Sequence, residues 1–233
     1  MFRKTLAFVV AVVVCAASVP ALAISVPTLE DFDTGTAEWR QNSKAVAVDW
    51  FENGGPDGAG DSYIGYDRNL GTSTGIQVIF RGQDEFDASG DAFVGDWIAA
   101  GVGEYSFWFK HNAPAALAVG ARWAKSANSP GMSFTYPTLI APGAWTLLSF
   151  ELDPSIPGWI NEGAGPTVAD GFANVFAAVG NLQVYAQRDA SIPINTTVSF
   201  GLDKVLATPE PSTLVLAAVG GLGLALVTRR RQK

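Results

Sequence analysis

Between residues 24 and 208, apolar side chains recur at every second position in six short runs, the mark of half-buried strands. Ile76, Val78 and Phe80 share one face of the first run. Tyr105, Phe107 and Phe109 share one face of the second, which leaves Ser106, Trp108 and Lys110 on the other. Leu117, Val119, Ala121 and Trp123 form the third, opposed by Arg122. Thr146, Leu148, Phe150 and Leu152 form the fourth. In the fifth, Leu182, Val184 and Ala186 oppose Gln183, Tyr185 and Gln187; the sixth runs from Val198 to Val205. Turn-forming clusters separate these runs: Gly54-Gly55-Pro56-Asp57-Gly58, Ser129-Pro130-Gly131, Ala141-Pro142-Gly143 and Ile156-Pro157-Gly158. One stretch departs from the pattern. From Thr167 to Val179 the apolar residues Val168, Phe172, Val175, Phe176 and Val179 follow helical spacing, with Thr167 or Asp170 available as an N-cap. No internal repeat is visible. The pattern predicts one all-β domain over residues 24–208, an antiparallel β-sandwich with one short helix.

The two ends follow other rules. Met1 to Ala23 opens with Arg3 and Lys4, continues through an apolar run from Leu6 to Ala17 and closes on Ala21-Leu22-Ala23. This is the form of a secretory signal helix cleaved after Ala23. Residues 209–233 read Pro209-Glu210-Pro211, then an apolar run from Leu214 to Val227, then a basic tail containing Arg229, Arg230 and Arg231. A helix of that apolar length spans about 21 Å against a hydrocarbon core of about 30 Å, so Ser212 to Thr228 predicts a short transmembrane helix. The basic tail places the preceding domain on the non-cytoplasmic side. Gly220, Gly221 and Gly223 would supply a helix-packing surface if this anchor is permanent.

Charge narrows the functions further. The middle segment holds 21 of the 22 acids but only 9 of the 15 basic residues, a net charge near −12. A body this acidic repels phosphate backbones, so nucleic acid is not an expected partner. The single cysteine, Cys15, falls in the signal segment. The remaining chain therefore has no disulfide, no thiolate nucleophile and no zinc–thiolate site, and about 185 residues must be held by a buried core.

Catalytic constellations are sparse. His111 is the one possible imidazole base, and no Gly-x-Ser-x-Gly, His-Glu-x-x-His or phosphate-binding glycine loop occurs. A non-enzymatic protein is expected, with a two-acid glycosidase as the enzymatic rival. Sugar binding asks for an aromatic platform beside planar polar side chains. Seven tryptophans are available. Trp39, Trp97 and Trp145 sit where loops meet strands and are expected in the core. Trp108 points away from its apolar row. If the strands share a sheet, Trp108, Arg122, Gln183, Tyr185 and Gln187 line one polar-aromatic surface. The rival platform is made of the loop aromatics Trp50, Phe51 and Trp159.

The tripartite terminus of Pro209-Glu210-Pro211, apolar run and arginine cluster resembles the PEP-CTERM sorting signal. That resemblance implies export in a Gram-negative bacterium, inner-membrane anchoring at least while sorting lasts, an exosortase as partner, and a final place at the cell surface or in the extracellular matrix. The body has its own resemblance. Leu29-Glu30-Asp31-Phe32-Asp33, the loop from Gly54 to Tyr63, Trp145 to Phe150, and Gly201-Leu202-Asp203-Lys204-Val205 are similar to laminin-type domain IV and to galactose-binding-like carbohydrate-binding modules. The fold so implied is a jelly roll, and the function a carbohydrate-binding module associated with exopolysaccharide. The alternative is a structural matrix protein that self-associates without recognising a glycan. The same resemblance implies a structural calcium joining Asp203 to Asp33, with Glu30 or Asp31 as substitutes and Asp57 and Asp61 as a second source of loop oxygens. Lys204 stands where such modules often carry a second acid.

Overall fold

The computed structural model describes residues 24–210 except residue 73. The predicted signal helix and transmembrane helix, together with Pro211, Arg229, Arg230 and Arg231, lie outside the described residues. Eleven strands and one α-helix occur among those described. They are β1 (Thr28–Glu30), β2 (Asp49–Phe51), β3 (Tyr63–Leu70), β4 (Gly75–Gln83), β5 (Val102–His111), β6 (Ala118–Ala124), β7 (Gly131–Thr135), β8 (Thr146–Glu151), β9 (Ile160–Glu162), α1 (Val168–Phe176), β10 (Asn181–Arg188) and β11 (Thr196–Pro209).

Two antiparallel sheets stack face to face. The first, sheet A, runs β2-β3-β11-β5-β8, with β1 paired to the later part of β11; the second, sheet B, runs β4-β10-β6-β7-β9. The chain is therefore an antiparallel β-sandwich with one short α-helix, as the alternation predicts, and a jelly roll, as the resemblance implies. The six apolar runs become β4, β5, β6, β8, β10 and β11, and the rows read as inward are buried except at the strand starts Ile76, which is 47% exposed, and Thr146. Val78 and Phe80, Tyr105, Phe107 and Phe109, Val119 and Trp123, Leu148 and Phe150, Leu182 and Val184, and Val198, Phe200 and Leu202 meet between the sheets. Burial of these rows supplies the main stabilisation, at about 25 cal/mol per Å² removed from water.

Helix α1 starts where its sequence allows. The Thr167 hydroxyl accepts the Asp170 amide at 3.1 Å and donates to the Asp170 carboxylate at 2.6 Å. Phe172 and Phe176 stack at 4.1 Å and close one end of the sandwich against Trp159 and Trp123. The open edge of β4 is covered as well. Arg40 exchanges backbone hydrogen bonds with Arg81, and the Asn42 amide donates to Gln77 O and accepts from Ile79 N. His111 is the last residue of β5 and is buried. Its Nε2 lies 2.9 Å from Ile140 O and its Nδ1 accepts from Ala113 N at 3.2 Å, so the imidazole is fully used and burial pulls its pKa down.

Candidate functional site

The strands carrying the five predicted sugar-binding residues do not share a sheet. Arg122, Gln183, Tyr185 and Gln187 lie on the outer face of sheet B, whereas Trp108 lies on the outer face of sheet A, beside Asp203 in register. The single surface read from the sequence therefore does not form. Period-2 alternation reports which way a side chain points, not which sheet its strand joins.

On sheet B the polar groups are spent on one another. Arg122 Nε donates to Glu162 Oε2 at 2.6 Å, and its two terminal nitrogens donate to Asn128 Oδ1 and O at 2.9 and 3.0 Å. Ser133 Oγ donates to the other Glu162 oxygen at 2.7 Å. Gln183, with its amide oxygen toward the guanidinium groups, accepts from Arg81 at 3.0 Å and Arg122 at 3.1 Å. The Tyr185 ring lies across Gly120, where a Cβ would approach it to 2.4 Å, and its hydroxyl meets Thr135 Oγ1 at 2.8 Å. Tyr185 is 2% exposed and Gln183 4%. The loop between β6 and β7 folds back through Asn128 to complete this lid. Burial is also why the Tyr185 hydroxyl is pushed up in pKa.

Sheet A presents a different outer face. One outward row runs Asp49, Gly65, Gly201, Lys110 across four neighbouring strands. The two glycines leave a floor with no side chains. At Gly65 a Cβ would lie 2.4 Å from Phe200 O, and at Gly201 it would lie 2.8 Å from the Trp145 ring and 3.3 Å from Tyr63. Over this floor stands an aromatic wall. Phe51 and Tyr63 stack at 4.7 Å with their planes 11° apart, and Trp145 meets Tyr63 edge-on at 5.2 Å. Trp145 Nε1 donates to Gly54 O at 2.8 Å, and the Lys110 ammonium lies over its ring at 5.7 Å. Asp67, Asn112 and Ser199 border the other side of the trough, a depression of about 380 Å³ lined by Phe51 and Tyr63, with Trp145 at its edge over Gly201. Phe51 is 40% exposed.

Two tryptophan assignments change with this geometry. Trp145, expected in the core, is half-buried on the outer wall. Trp159, expected as a loop platform, packs against Trp123, Phe134, Phe172 and Phe176 and is buried. Trp50 donates to Phe32 O at 2.7 Å and, in register with Ile64, lies on the opposite face of β2 from Asp49 and Phe51. Of the rival platform only Phe51 belongs to the wall. Tyr63 had no signal of its own in the sequence. Its tie to function is visible only once β2, β3 and the segment before β8 converge.

Of the residues implied for calcium, Asp203 alone is buried. Asp203 is 0% exposed, one carboxylate oxygen accepts the Lys204 amide at 2.7 Å, and the other has no hydrogen-bond partner. Burial, and then the fields of Asp61 and Asp31, raise its pKa to about 7, so near neutrality a large fraction of Asp203 holds a proton. Glu30 accepts the Phe32 amide instead, and Asp33 is exposed. The Lys204 ammonium pairs with Asp57 and lies 3.5 Å from Asp61. A tethered cation stands among these loop carboxylates, and among the described residues no group of three or more His, Cys, Asp or Glu is gathered to hold a metal.

The sorting residues lie at the far end of sheet A. Pro209 closes β11 opposite Val102, and Glu210 N donates to Gly101 O at 3.1 Å. The family model of the PEP-CTERM protein-sorting motif matches residues 207–231. The chain carries a PEP-CTERM sorting motif. This motif implies export, membrane-anchored sorting and processing by an exosortase. No curated protein matches the chain. Several solved structures are similar to it. The CBM22-1–GH10 modules of the Clostridium thermocellum endo-1,4-beta-D-xylanase 10B, complexed with xylohexaose, match with a TM-score of 0.46 and 14% identity over 80% of this chain. The chain spans 29% of that xylanase chain. TmCBM61 in complex with beta-1,4-galactotriose matches at TM-score 0.42 and 12% identity, covering 77% of this chain and 94% of that one. The L4b domain of human laminin alpha-2 matches at TM-score 0.41 and 11% identity, covering 79% and 98%.

Proposed function

We propose that this PEP-CTERM protein is an exported, non-catalytic module that associates with extracellular polysaccharide through the trough on sheet A. The observation that carries the reading is the Phe51–Tyr63–Trp145 wall, with Phe51 exposed and Tyr63 and Trp145 half-buried, beside a glycine floor. Such a wall offers flat apolar faces to the C–H face of a pyranose, while Asp49 and Asp67 supply acceptors for its hydroxyls beside the mutually paired Asn112 and Ser199. The charge of the domain favours a neutral chain over a polyanionic one, because a net charge near −12 repels anionic glycans. Trp108 lies on the same outer face and extends the apolar border along β5.

The trough gives no pair of acids with divided roles. The two carboxyl groups with raised pKa, Asp91 and Asp203, lie outside its lining, the first on a surface 3-10 turn and the second buried. Binding without turnover is the function these residues support.

The test is affinity electrophoresis of the exported chain through gels containing the host's exopolysaccharide, with calcium and with chelator. Retardation of the wild type that is unaffected by chelator and lost in Trp145→Ala supports the reading. Retardation abolished by chelator restores a calcium site at Asp203. No retardation, together with concentration-dependent assembly, favours the self-associating matrix protein, and release of reducing sugar favours a glycosidase.

A further inference from the structure

The fold and the sorting motif share residues. The motif match begins at residue 207, whereas β11 continues to Pro209 and the backbone tie extends to Glu210. The last part of β11 lies inside sheet A, with β1 paired to Val205–Ala207 on one side and β5 paired through Pro209 on the other, so this end of the strand does not trail from an edge. Ala207 lies opposite both Thr28 and Tyr105, Thr208 opposite Glu104, and Pro209 opposite Val102. Glu210 then settles on Gly103. A Cβ at Gly103 would lie 2.4 Å from Glu210 Cγ, 2.6 Å from its Cα and 2.8 Å from its N, so only glycine leaves room for the Glu210 backbone there. Three residues, Pro211 to Thr213, separate Glu210 from the apolar run that starts at Leu214. Fully extended they reach about 14 Å at most.

We propose that the folded sandwich sequesters Pro209-Glu210, the first half of the sorting motif, so that processing proceeds through fraying of the last residues of β11. This rests on the sorting reading above. An enzyme that must grip Pro-Glu-Pro in an extended groove meets two of the three residues already held by Val102, Gly101 and Gly103. Its apparent efficiency is then reduced by the fraction of molecules whose strand end is open. The local structure suits a gate of this kind. Pro209 brings no N–H to the ladder, and the register shifts between Thr208 and Pro209, so the final pairing is weaker than the rest of β11 and opens without unfolding the core.

The experiment is a pulse-chase of precursor conversion for the full-length chain in cells that contain an exosortase. In one variant Gly-Ser-Gly-Ser is inserted between Thr208 and Pro209, which leaves Pro209-Glu210-Pro211 intact but moves it off the sheet. In a second, Gly103→Val displaces Glu210, with circular dichroism and the thermal midpoint of the purified chain confirming the fold. The expected result is conversion about tenfold faster for the insertion, with a smaller acceleration for Gly103→Val and faster hydrogen exchange at the Glu210 amide in both. Unchanged or slower conversion of the insertion variant overturns the proposal, because the enzyme then reads the motif without opening the strand or needs the folded end. A wild-type chain that the exosortase leaves uncut overturns the sorting reading itself.

Discussion

The two outer faces of this sandwich start from similar materials and reach opposite states. Each carries outward-pointing aromatic, amide and charged residues on the central strands of a sheet. On sheet B the groups pair among themselves, and Arg122, Glu162, Asn128 and Gln183 close into a network over which Tyr185 lies flat. On sheet A, Gly65 and Gly201 remove the side chains that would have filled the middle of the face, and the aromatic rings around them keep faces toward water. Outward direction is therefore not availability. Whether a polar surface can bind depends on whether its hydrogen-bonding capacity is already consumed.

The sharpest way to break this comparison is a pair of truncations, one on each face. Arg122→Ala should cost about 3 kcal/mol of stability, because it leaves Glu162 half-buried without its cation and Asn128 without its donors, while glycan retardation persists. Trp145→Ala should do the reverse, weakening retardation by about tenfold or more with a much smaller loss in the thermal midpoint. If Arg122→Ala removes binding, the assignment of the two faces is wrong.

Glycine substitutions sharpen the same contrast at a smaller scale. Gly120→Ala places a methyl 2.4 Å from Phe134 O and from the Tyr185 ring, and should destabilise by about 1–3 kcal/mol. Gly201→Ala meets the edge of Trp145, a half-exposed ring that can swing outward. It should lower glycan affinity several-fold while leaving the denaturation midpoint nearly unchanged.

The pH dependence tests Asp203, which lies on the sheet A side. Its folded pKa of about 7 stands above the ordinary value of 3.8, so between those values the folded chain binds more protons than the unfolded one. Stability from this group is complete below pH 4 and is lost as pH rises through 7. Asp203→Asn should flatten that part of the stability–pH profile measured by chemical denaturation. The smallest effect is expected for Lys204→Met. The Asp57 partner is largely exposed, so the change in stability should stay within about 1 kcal/mol, accompanied by weaker salt dependence of unfolding.

Much of the scaffold was legible because alternation and burial obey the same period. The rows of Tyr105–Phe109 and Leu182–Ala186 face the core as read, and Thr167 caps α1. The short strands β1, β2 and β9 have three residues each, too few for any period to show. The eight-residue β3 failed for a different reason. Its outward Gly65 and Asp67 and its exposed Arg68 interrupt the apolar row of Ile64, Tyr66 and Leu70, and Gly65 is there to make the trough. The site was legible only in fragments. Phe51 and Trp108 were singled out, but their common face depends on long-range pairing of β2, β3, β11 and β5. Trp145 looked like a core plug because it stands directly before an apolar strand, and the glycine at position 201 that draws it outward lies 56 residues away.

The length of β11 has an electrostatic consequence. From Gly201 in the trough floor to Pro209 at the exit, eight residues at about 3.3 Å each set the two about 26 Å apart. That is about three Debye lengths of about 8 Å, so charges at the sorting motif are screened from the trough.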